Sequence, residues 1–313
     1  MQLVDAKSRR KEKTSLIKNI TTYHLHITGI VQGVGFRPMA YNFALQHNLV
    51  GYVCNSGDGL HFVFNADKEE QDEIINKFIK SAPVLAKINT FNLKEIELKS
   101  FTGFSIAESE SDVEPNIPLT PDFALCNSCK DELQNSTNFR YRYPFITCTN
   151  CGPRYSITNA LPYDRRNTTM QPFVMCDKCE NEYKTVTDKR FFSQTNSCQT
   201  CGVELGVYNN KSELICKSNE QSLLLITHFL TEGKIVALKN TGGFVLLCDA
   251  ANEKAIRHLR EQKHRPSKPF AVLCTDIQMA KQLADFTDEA AQLLTNEIAP
   301  LIVRNASDNI ATP

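Results

Sequence analysis

Cys126-Asn-Ser-Cys129, followed after 18 residues by Cys148-Thr-Asn-Cys151, opens a pattern that Cys176-Asp-Lys-Cys179 and Cys198-Gln-Thr-Cys201 repeat with the same 18-residue gap. A Cys-x-x-Cys turn places two thiolates on one side of a tetrahedral ion, and a second turn after about 15 to 20 residues supplies the other two. Two metal-binding modules are therefore expected. Pairing in sequence order gives one site of Cys126, Cys129, Cys148 and Cys151 and another of Cys176, Cys179, Cys198 and Cys201. An interleaved cross-brace is the alternative pairing; the equal gaps favour one unit used twice. Zinc is the default ion, and iron is the other that four thiolates suit.

A disulfide framework is the competing reading of these cysteines. Met1 to Asn19 bears on it: the stretch is basic and polar, with Lys7, Arg9, Arg10, Lys11 and Lys13, and lacks the apolar run of a secretory or membrane segment. Residues 1–20 read as a disordered basic tail and the protein as cytoplasmic, where paired cysteines at this spacing are metal ligands rather than disulfides. Cys54, Cys216, Cys248 and Cys274 fall outside the pattern and read as small buried hydrophobes.

The rest of the composition is that of an ordinary globular protein of two or three domains: 313 residues, 35 basic and 35 acidic side chains, no Trp. A balanced charge disfavours a dedicated nucleic-acid binder, which carries a basic excess. The short basic clusters Arg140 to Arg142, Arg165/Arg166 and Lys263 to Arg265 read as solvated surface.

Upstream of the cysteines, residues 21–108 alternate strand and helix signals. Tyr23 to Thr28 is a strand, Pro38 to His47 a helix, Val50 to Val53 and Leu60 to Phe64 strands about the turn Asn55-Ser-Gly-Asp-Gly59, Asp67 to Ile79 a helix and Ile88 to Leu98 a strand. This βαββαβ order predicts a ferredoxin-like domain, two helices on one face of an antiparallel sheet. Residues 109–121, rich in Ser, Glu, Asp and Pro, read as a linker, and 122–208 hold the modules. Residues 218–313 return to α/β patterning. Leu223 to Leu230 and Glu253 to Glu261 read as helices; Ile235 to Leu238, Phe244 to Cys248, Phe270 to Cys274 and Leu301 to Val303 read as strands, in a domain short of a full core. The whole is an α+β multidomain chain.

Gly29-Ile-Val-Gln-Gly-Val-Gly-Phe-Arg-Pro38 lies between the first strand and first helix. Gly33 and Gly35 can take positive φ, turning backbone N–H groups inward as an anion nest, and Pro38 fits a first helical turn. Arg37 adds a fixed bidentate cation beside the positive end of the helix dipole. A tight turn that binds nothing is the bland alternative. Asn55, on the next strand, offers a carboxamide that could orient a water; it could equally be a turn Asn before Ser-Gly.

Val31-Gln-Gly-Val-Gly-Phe-Arg37-Pro38, with Asn55 18 residues after the Arg, resembles the acylphosphatase signature. The resemblance implies that the backbone of Val31, Gln32, Gly33, Val34, Gly35 and Phe36, with Arg37, binds an acyl phosphate, and that Asn55 positions the hydrolytic water. The order of parts resembles the nickel–iron hydrogenase maturation carbamoyltransferases, the HypF family. Matching stretches are Tyr141-Arg-Tyr-Pro-Phe-Ile-Thr-Cys148-Thr-Asn-Cys151-Gly-Pro-Arg154, Asn167-Thr-Thr-Met170, Cys176-Asp-Lys-Cys179-Glu, Gly242-Gly-Phe244, Cys248-Asp-Ala250 and Leu259-Arg-Glu-Gln-Lys-His-Arg-Pro-Ser-Lys-Pro269. The last three resemble the start of the family's YrdC-like domain.

That resemblance implies zinc in both four-cysteine sites, carbamoyl phosphate and ATP as substrates, and Lys263, Arg265 and Lys268 against the nucleotide. It implies transfer of the carbamoyl group to the C-terminal cysteine of the maturation protein HypE, as precursor of a cyanide ligand. Neither nucleic acid nor membrane is an expected partner. Arg166, Phe192 and Val245 stand where the family commonly has Pro, His and His. The family also continues through the rest of the YrdC-like domain into a kinase-like ATPase domain, so the chain reads as a fragment or truncated homologue without the complete transfer machinery. Two rival readings are an acylphosphatase with regulatory zinc modules and a zinc-finger adaptor for nucleic acid or protein.

Overall fold

The computed structural model describes residues 20–110 and 112–303, so the basic tail expected over residues 1–20 lies outside it but for Ile20. The first unit runs β1 (Ile20–Ile30), α1 (Phe36–Gln46), β2 (Gly51–Ser56), β3 (Gly59–Asp67), α2 (Gln71–Lys80), β4 (Lys87–Ile96) and β5 (Phe104–Ile106). The sheet order is β4-β1-β3-β2-β5, antiparallel except where β5 joins β2 in parallel. Strand β5 is the one element of this unit that residue patterning did not indicate, being three residues long.

Alternation decides which face of the sheet is dry. Leu25 and Ile27 of β1 and Leu60, Phe62 and Phe64 of β3 enter the core, where the helices contribute Phe36, Ala40, Phe43, Ile75 and Phe78. The Phe62 and Phe78 rings stack at 4.3 Å, and Phe43 meets Phe78 edge-on at 5.1 Å. Each such aromatic contributes about 2–3 kcal/mol through burial. At the end of β1 the register with β4 shifts between Thr28 and Gly29. Gly29 has φ 119°, and a Cβ there would lie 2.1 Å from the Lys87 carbonyl oxygen, so only glycine lets the strand bend into the loop.

The cysteine modules follow. Helices α3 (Asn127–Gln134) and α4 (Asp177–Lys184) each begin directly after the first cysteine of a module. That start puts Cys129 and Cys179 on a buried first turn. The modules are one design used twice at an interval of fifty residues: Cys126 and Cys176, Glu132 and Glu182, Arg140 and Arg190, Cys148 and Cys198. Arg140 and Arg165, expected on solvated surface, instead point inward. Arg140 is fully buried, and Arg165 donates to the carbonyls of Gln194, Asn196 and Phe173. Both turn inward because the loops they pack against carry carbonyls, and for Arg140 also the Glu182 carboxylate, that need donors. Arg142 does stay at the surface, near Glu220.

Segment 109–121 is no slack linker, although its composition suggested one. Glu110 N–H donates to the Asn55 carbonyl, Asn116 N–H to that of Gly57, and the Thr120 hydroxyl to that of Gln32. Its backbone N–H groups and the Thr120 hydroxyl tie it to the first unit, while Glu110, Asp112, Glu114 and Asn116 stay exposed.

Beyond the modules come β6 (Gly206–Tyr208), β7 (Leu214–Lys217), α5 (Asn219–Thr231), β8 (Val236–Asn240), β9 (Gly243–Leu247), α6 (Glu253–Gln262), α7 (Ile277–Leu283) and α8 (Asp288–Thr295). Strands β6 and β7 form one hairpin and β8 and β9 another. Phe270 to Cys274 and 301–303, expected as strands, are not: neither pairs with a ladder, and Leu273, Leu301 and Val303 are largely exposed. An apolar run becomes a strand only where an edge receives its backbone groups, and β8–β9 remains a two-stranded sheet that takes up neither run. Ala255, Leu259 and Ala290 are the buried apolar side chains of this segment, in keeping with a small core. No described helix is long and apolar enough to cross a membrane.

Candidate functional site

Gly33 (φ 71°) and Gly35 (φ 81°) take the left-handed conformations that a nest requires, and α1 starts at Phe36 with Pro38 in its first turn. The side chains of Val31, Val34 and Phe36 belong to the hydrophobic core, so these residues offer only their backbones to an anion. Gln32 has a different part from its neighbours. Its Nε2 donates to the carbonyls of Ser56 (2.6 Å) and Gly59 (3.0 Å), and its Oε1 accepts from Tyr163 N–H (2.8 Å). It ties the loop to the β2–β3 hairpin and to the cysteine-rich unit.

Arg37 and Asn55 meet. The Asn55 Oδ1, with the amide turned to satisfy its neighbours, accepts from Arg37 Nε at 3.1 Å and Nη2 at 3.3 Å. Asn55 lies within β2, paired opposite Leu60, and the hairpin turn is Gly57-Asp58 alone. Asn55 is therefore a strand residue aimed at the loop, not a turn residue. Both side chains are buried.

The other wall of this small cavity, about 30 Å³, comes from the cysteine-rich unit: Thr149, Arg154, Tyr163, Phe192, Ser193, Gln194 and Thr195. Arg37 Nη1 donates to Asp164 Oδ1 at 2.7 Å and to Ser109 Oγ at 3.2 Å, while Nη2 donates to the Tyr163 carbonyl at 2.9 Å. Its guanidinium also lies 4.8 Å from the Phe192 ring centroid. The Tyr163 hydroxyl is buried and has no hydrogen-bond partner among the described residues. Arg154 is the rivet between units: Nε donates to the Gly33 carbonyl, and its Nη groups donate to the carbonyls of Cys148, Thr149, Cys151 and Pro153. Arg154 stands in the motif that ends Cys151-Gly-Pro-Arg154, where local spacing assigns it no role, and Asp164 stands in none. Their signal lies in contacts more than a hundred residues apart, which no local spacing reveals.

The cysteines group in sequence order, not as a cross-brace: Cys126, Cys129, Cys148 and Cys151, then Cys176, Cys179, Cys198 and Cys201. Within these groups Sγ atoms stand 3.6–3.8 Å apart. A tetrahedral ion with metal–sulfur bonds of about 2.3 Å requires edges of about 3.8 Å. The residues thus fit zinc, and the distances exclude disulfides, whose sulfurs approach to about 2.05 Å. Each cluster also receives an arginine from the opposite module. Arg140 reaches across to Cys179 Sγ (3.4 Å) and Glu182, and Arg190 to Cys129 Sγ (3.7 Å) and Glu132.

Cys54 is buried, and its thiol is pushed up to about 12 by burial and then by Glu110, which makes it inert. Cys216, Cys248 and Cys274, also expected to be buried, are only half so: Cys216 lies in the partly exposed β6–β7 hairpin, Cys248 directly after β9, and Cys274 in an unpaired run. Farther on, Arg265 donates to the carbonyls of Lys268 and Pro269, and Arg260 to those of Arg265 and Lys268. These two arginines build the loop after α6; Lys263 ends that helix.

Residues 23–106 match the acylphosphatase family, 125–158 and 175–208 each match the HypF finger, and 228–311 match the Sua5/YciO/YrdC family, described as telomere recombination. The chain is 43% identical over 286 residues to the carbamoyltransferase HypF of Synechocystis sp., an alignment covering 91% of this chain and 37% of the relative. It is 42% identical over 289 residues to the probable carbamoyltransferase HypF of Methanocaldococcus jannaschii, covering 91% and 37%. The chain belongs to the HypF family. It corresponds to the N-terminal portion: acylphosphatase-like domain, two four-cysteine zinc-finger modules and a YrdC-like segment. Two solved HypF structures have this architecture. A full-length HypF in its phosphate- and nucleotide-bound form superposes with a TM-score of 0.80 at 37% identity, covering 89% of this chain and 36% of that one. HypF of T. kodakarensis gives 0.81 at 40% identity, covering 93% and 37%. The chain thus spans a little over a third of the length of the HypF relatives it matches.

Proposed function

We propose that this chain hydrolyses carbamoyl phosphate to carbamate and phosphate as the first step of a HypF-type carbamoyl transfer. The observation that carries the reading is the meeting of Arg37 and Asn55 in a buried cavity beneath the glycine loop. In this mechanism the N–H groups of Gln32 to Phe36 and the Arg37 guanidinium hold the phosphoryl oxygens, supplying donors where negative charge gathers as the P–O bond to carbamate breaks, while the Val31 N–H donates to the Gly29 carbonyl and shapes the loop. Asn55, oriented by its bond to Arg37, positions the attacking water in line with the departing carbamate. The water's oxygen becomes part of the phosphate and carbamate leaves with the bonding electron pair.

The outer wall of the cavity, from the zinc modules, shields a labile product from bulk water. That shared wall favours this reading over an acylphosphatase with remote regulatory modules. The adaptor reading is disfavoured because Arg140, Arg154, Arg165 and Arg190 donate to internal carboxylates and carbonyls rather than presenting a cationic face. The metal in the two four-cysteine sites would be zinc in a structural part. The later steps follow from the family: adenylation of carbamate by ATP, with Lys263, Arg265 and Lys268 near the triphosphate, then transfer to the C-terminal cysteine of a HypE-type partner. The unit boundaries proposed are 21–108, 122–208 and 218–313.

Steady-state hydrolysis of carbamoyl phosphate tests the reading. Arg37→Ala is expected to lower kcat/KM by about a hundredfold or more, as loss of a transition-state donor does, and Asn55→Ala to act chiefly on kcat. Full activity in both variants would remove the proposed site.

A further inference from the structure

Among the described residues, the eight module cysteines account for two metal-binding groups, and a third lies elsewhere: His26, Asp58 and His61. It sits on the outer face of the sheet. Because Leu25 and Ile27 point into the core, His24 and His26 point away from it, as does His61 between Leu60 and Phe62. His26 and His61 are direct cross-strand partners, and Asp58 reaches over from the β2–β3 turn.

The donor atoms are spaced for an ion. His61 Nε2 lies 2.9 Å from Asp58 Oδ1; His26 Nε2 lies 3.4 Å from Asp58 Oδ2 and 3.1 Å from the Asp58 carbonyl oxygen, to which it donates a hydrogen bond that a bound ion would replace. Ligands held at about 2.0–2.1 Å stand about 2.9 Å apart at a right angle and about 3.4 Å apart at a tetrahedral one. His24 supplies the supporting contact that ligating imidazoles need, its Nε2 lying 2.8 Å from His61 Nδ1. If His61 donates from Nδ1 to His24, its Nε2 lone pair faces the Asp58 carboxylate, an arrangement that a cation between them makes favourable. The rings of His26 and His61 stack at 4.6 Å with planes 10° apart, packing that two charged imidazoliums would oppose. Gly59 keeps the space open: a Cβ there would stand 3.0 Å from His26 Nε2 and 2.2 Å from the Ile27 carbonyl.

We propose that His26, Asp58 and His61 bind a divalent late first-row transition ion, zinc by preference, in an open three-ligand site distinct from the four-cysteine sites. Two imidazoles and a carboxylate are borderline ligands suited to zinc, with solvent completing the coordination. The ion would bridge β1 to the hairpin turn three residues beyond Asn55, bracing the strand that carries that side chain.

The test is equilibrium dialysis of the untagged full chain against micromolar free zinc, with zinc per chain measured by mass spectrometry and cobalt substitution alongside. The wild type is expected to hold a third equivalent that His26→Gln/His61→Gln and Asp58→Asn lose. In the cobalt form, this equivalent is expected to add ligand-field bands without thiolate-to-cobalt charge transfer. Two equivalents in the wild type, a third that survives both substitutions, or a third with thiolate charge-transfer bands would each overturn the proposal. Wild-type stoichiometry and the cobalt spectrum decide the matter even if a variant folds poorly.

Discussion

Arg37 is held before any anion arrives, with Asp164, Ser109, the Tyr163 carbonyl and Asn55 all engaging its guanidinium. This fixes the fork geometry, but Asp164 also places a negative charge where a phosphoryl group must approach. At an effective dielectric of about 20, a unit charge some 6 Å away is worth at most about 2–3 kcal/mol, reduced further by solvent. Asp164→Asn is therefore expected to tighten competitive inhibition by inorganic phosphate by up to about tenfold. Unchanged or weaker inhibition would assign Asp164 to orientation alone. At this scale the grouping of the eight cysteines was legible in their spacing, whereas Arg37 and Asn55 stood out through the resemblance to the acylphosphatase signature, since a glycine loop and an Asn before Ser-Gly also suit plain turns. Asp164, Arg154 and the tying role of Gln32 were not legible, since each is defined by a partner on a distant segment.

The crossed arginines dominate at the scale of elements. Helices α3 and α4 present Glu132 and Glu182, and each receives the arginine of the opposite module as an ion pair beside a thiolate. Arg190 is 2% exposed while Glu132 is 22% exposed, so removing the cation leaves a half-buried carboxylate with Lys189, at 2.8 Å, in place of two cationic partners. Arg190→Gln is expected to destabilise the chain by about 2–4 kcal/mol in denaturant titration, with Arg190→Gln/Glu132→Gln recovering part of the loss. Burial alone would raise the Glu132 carboxyl, but Arg190 and Lys189 hold it below its ordinary range. Its contribution is thus complete above the ordinary glutamate pKa and lost as pH falls through the lowered value. The difference in stability between wild type and the double variant should accordingly shrink in acid. Equal gaps between cysteines revealed a repeated unit, yet Arg140 read as surface, because the fifty-residue correspondence with Arg190 acquires meaning only once the modules face each other. The misread runs at Phe270 to Cys274 and 301–303 have a related cause: hydrophobicity marks a segment as buried or paired somewhere, but the pairing edge is a property of another segment.

Over the whole molecule, the phosphate loop, segment 109–121 and the finger modules close on one another through Thr120, Arg154 and Arg37. The domain order was legible from the motifs; the closeness of this packing was not, because a Pro- and Ser-rich segment looks like a spacer until its partners are known. Stripping metal from the four-cysteine sites with a chelator is expected to unfold the modules and open the outer wall of the cavity. Hydrolysis of carbamoyl phosphate should then decline together with the module signal in circular dichroism, while residues 20–107 keep their β-sheet signature. Activity that vanished with the modules still folded would contradict a structural part for the metal.

Arg140 rests against a thiolate of the second cluster and Arg190 against one of the first, so the charge that favours each guanidinium belongs to the neighbouring module. A chain carrying a single ion would leave one of these cations facing protonated thiols and would hold its lone ion in a loosened frame. Singly loaded chains are consequently disfavoured. Under zinc scarcity a population of these molecules should divide into saturated and empty members rather than share ions evenly, so that supply of the ion sets how many copies are competent and not how well each one works.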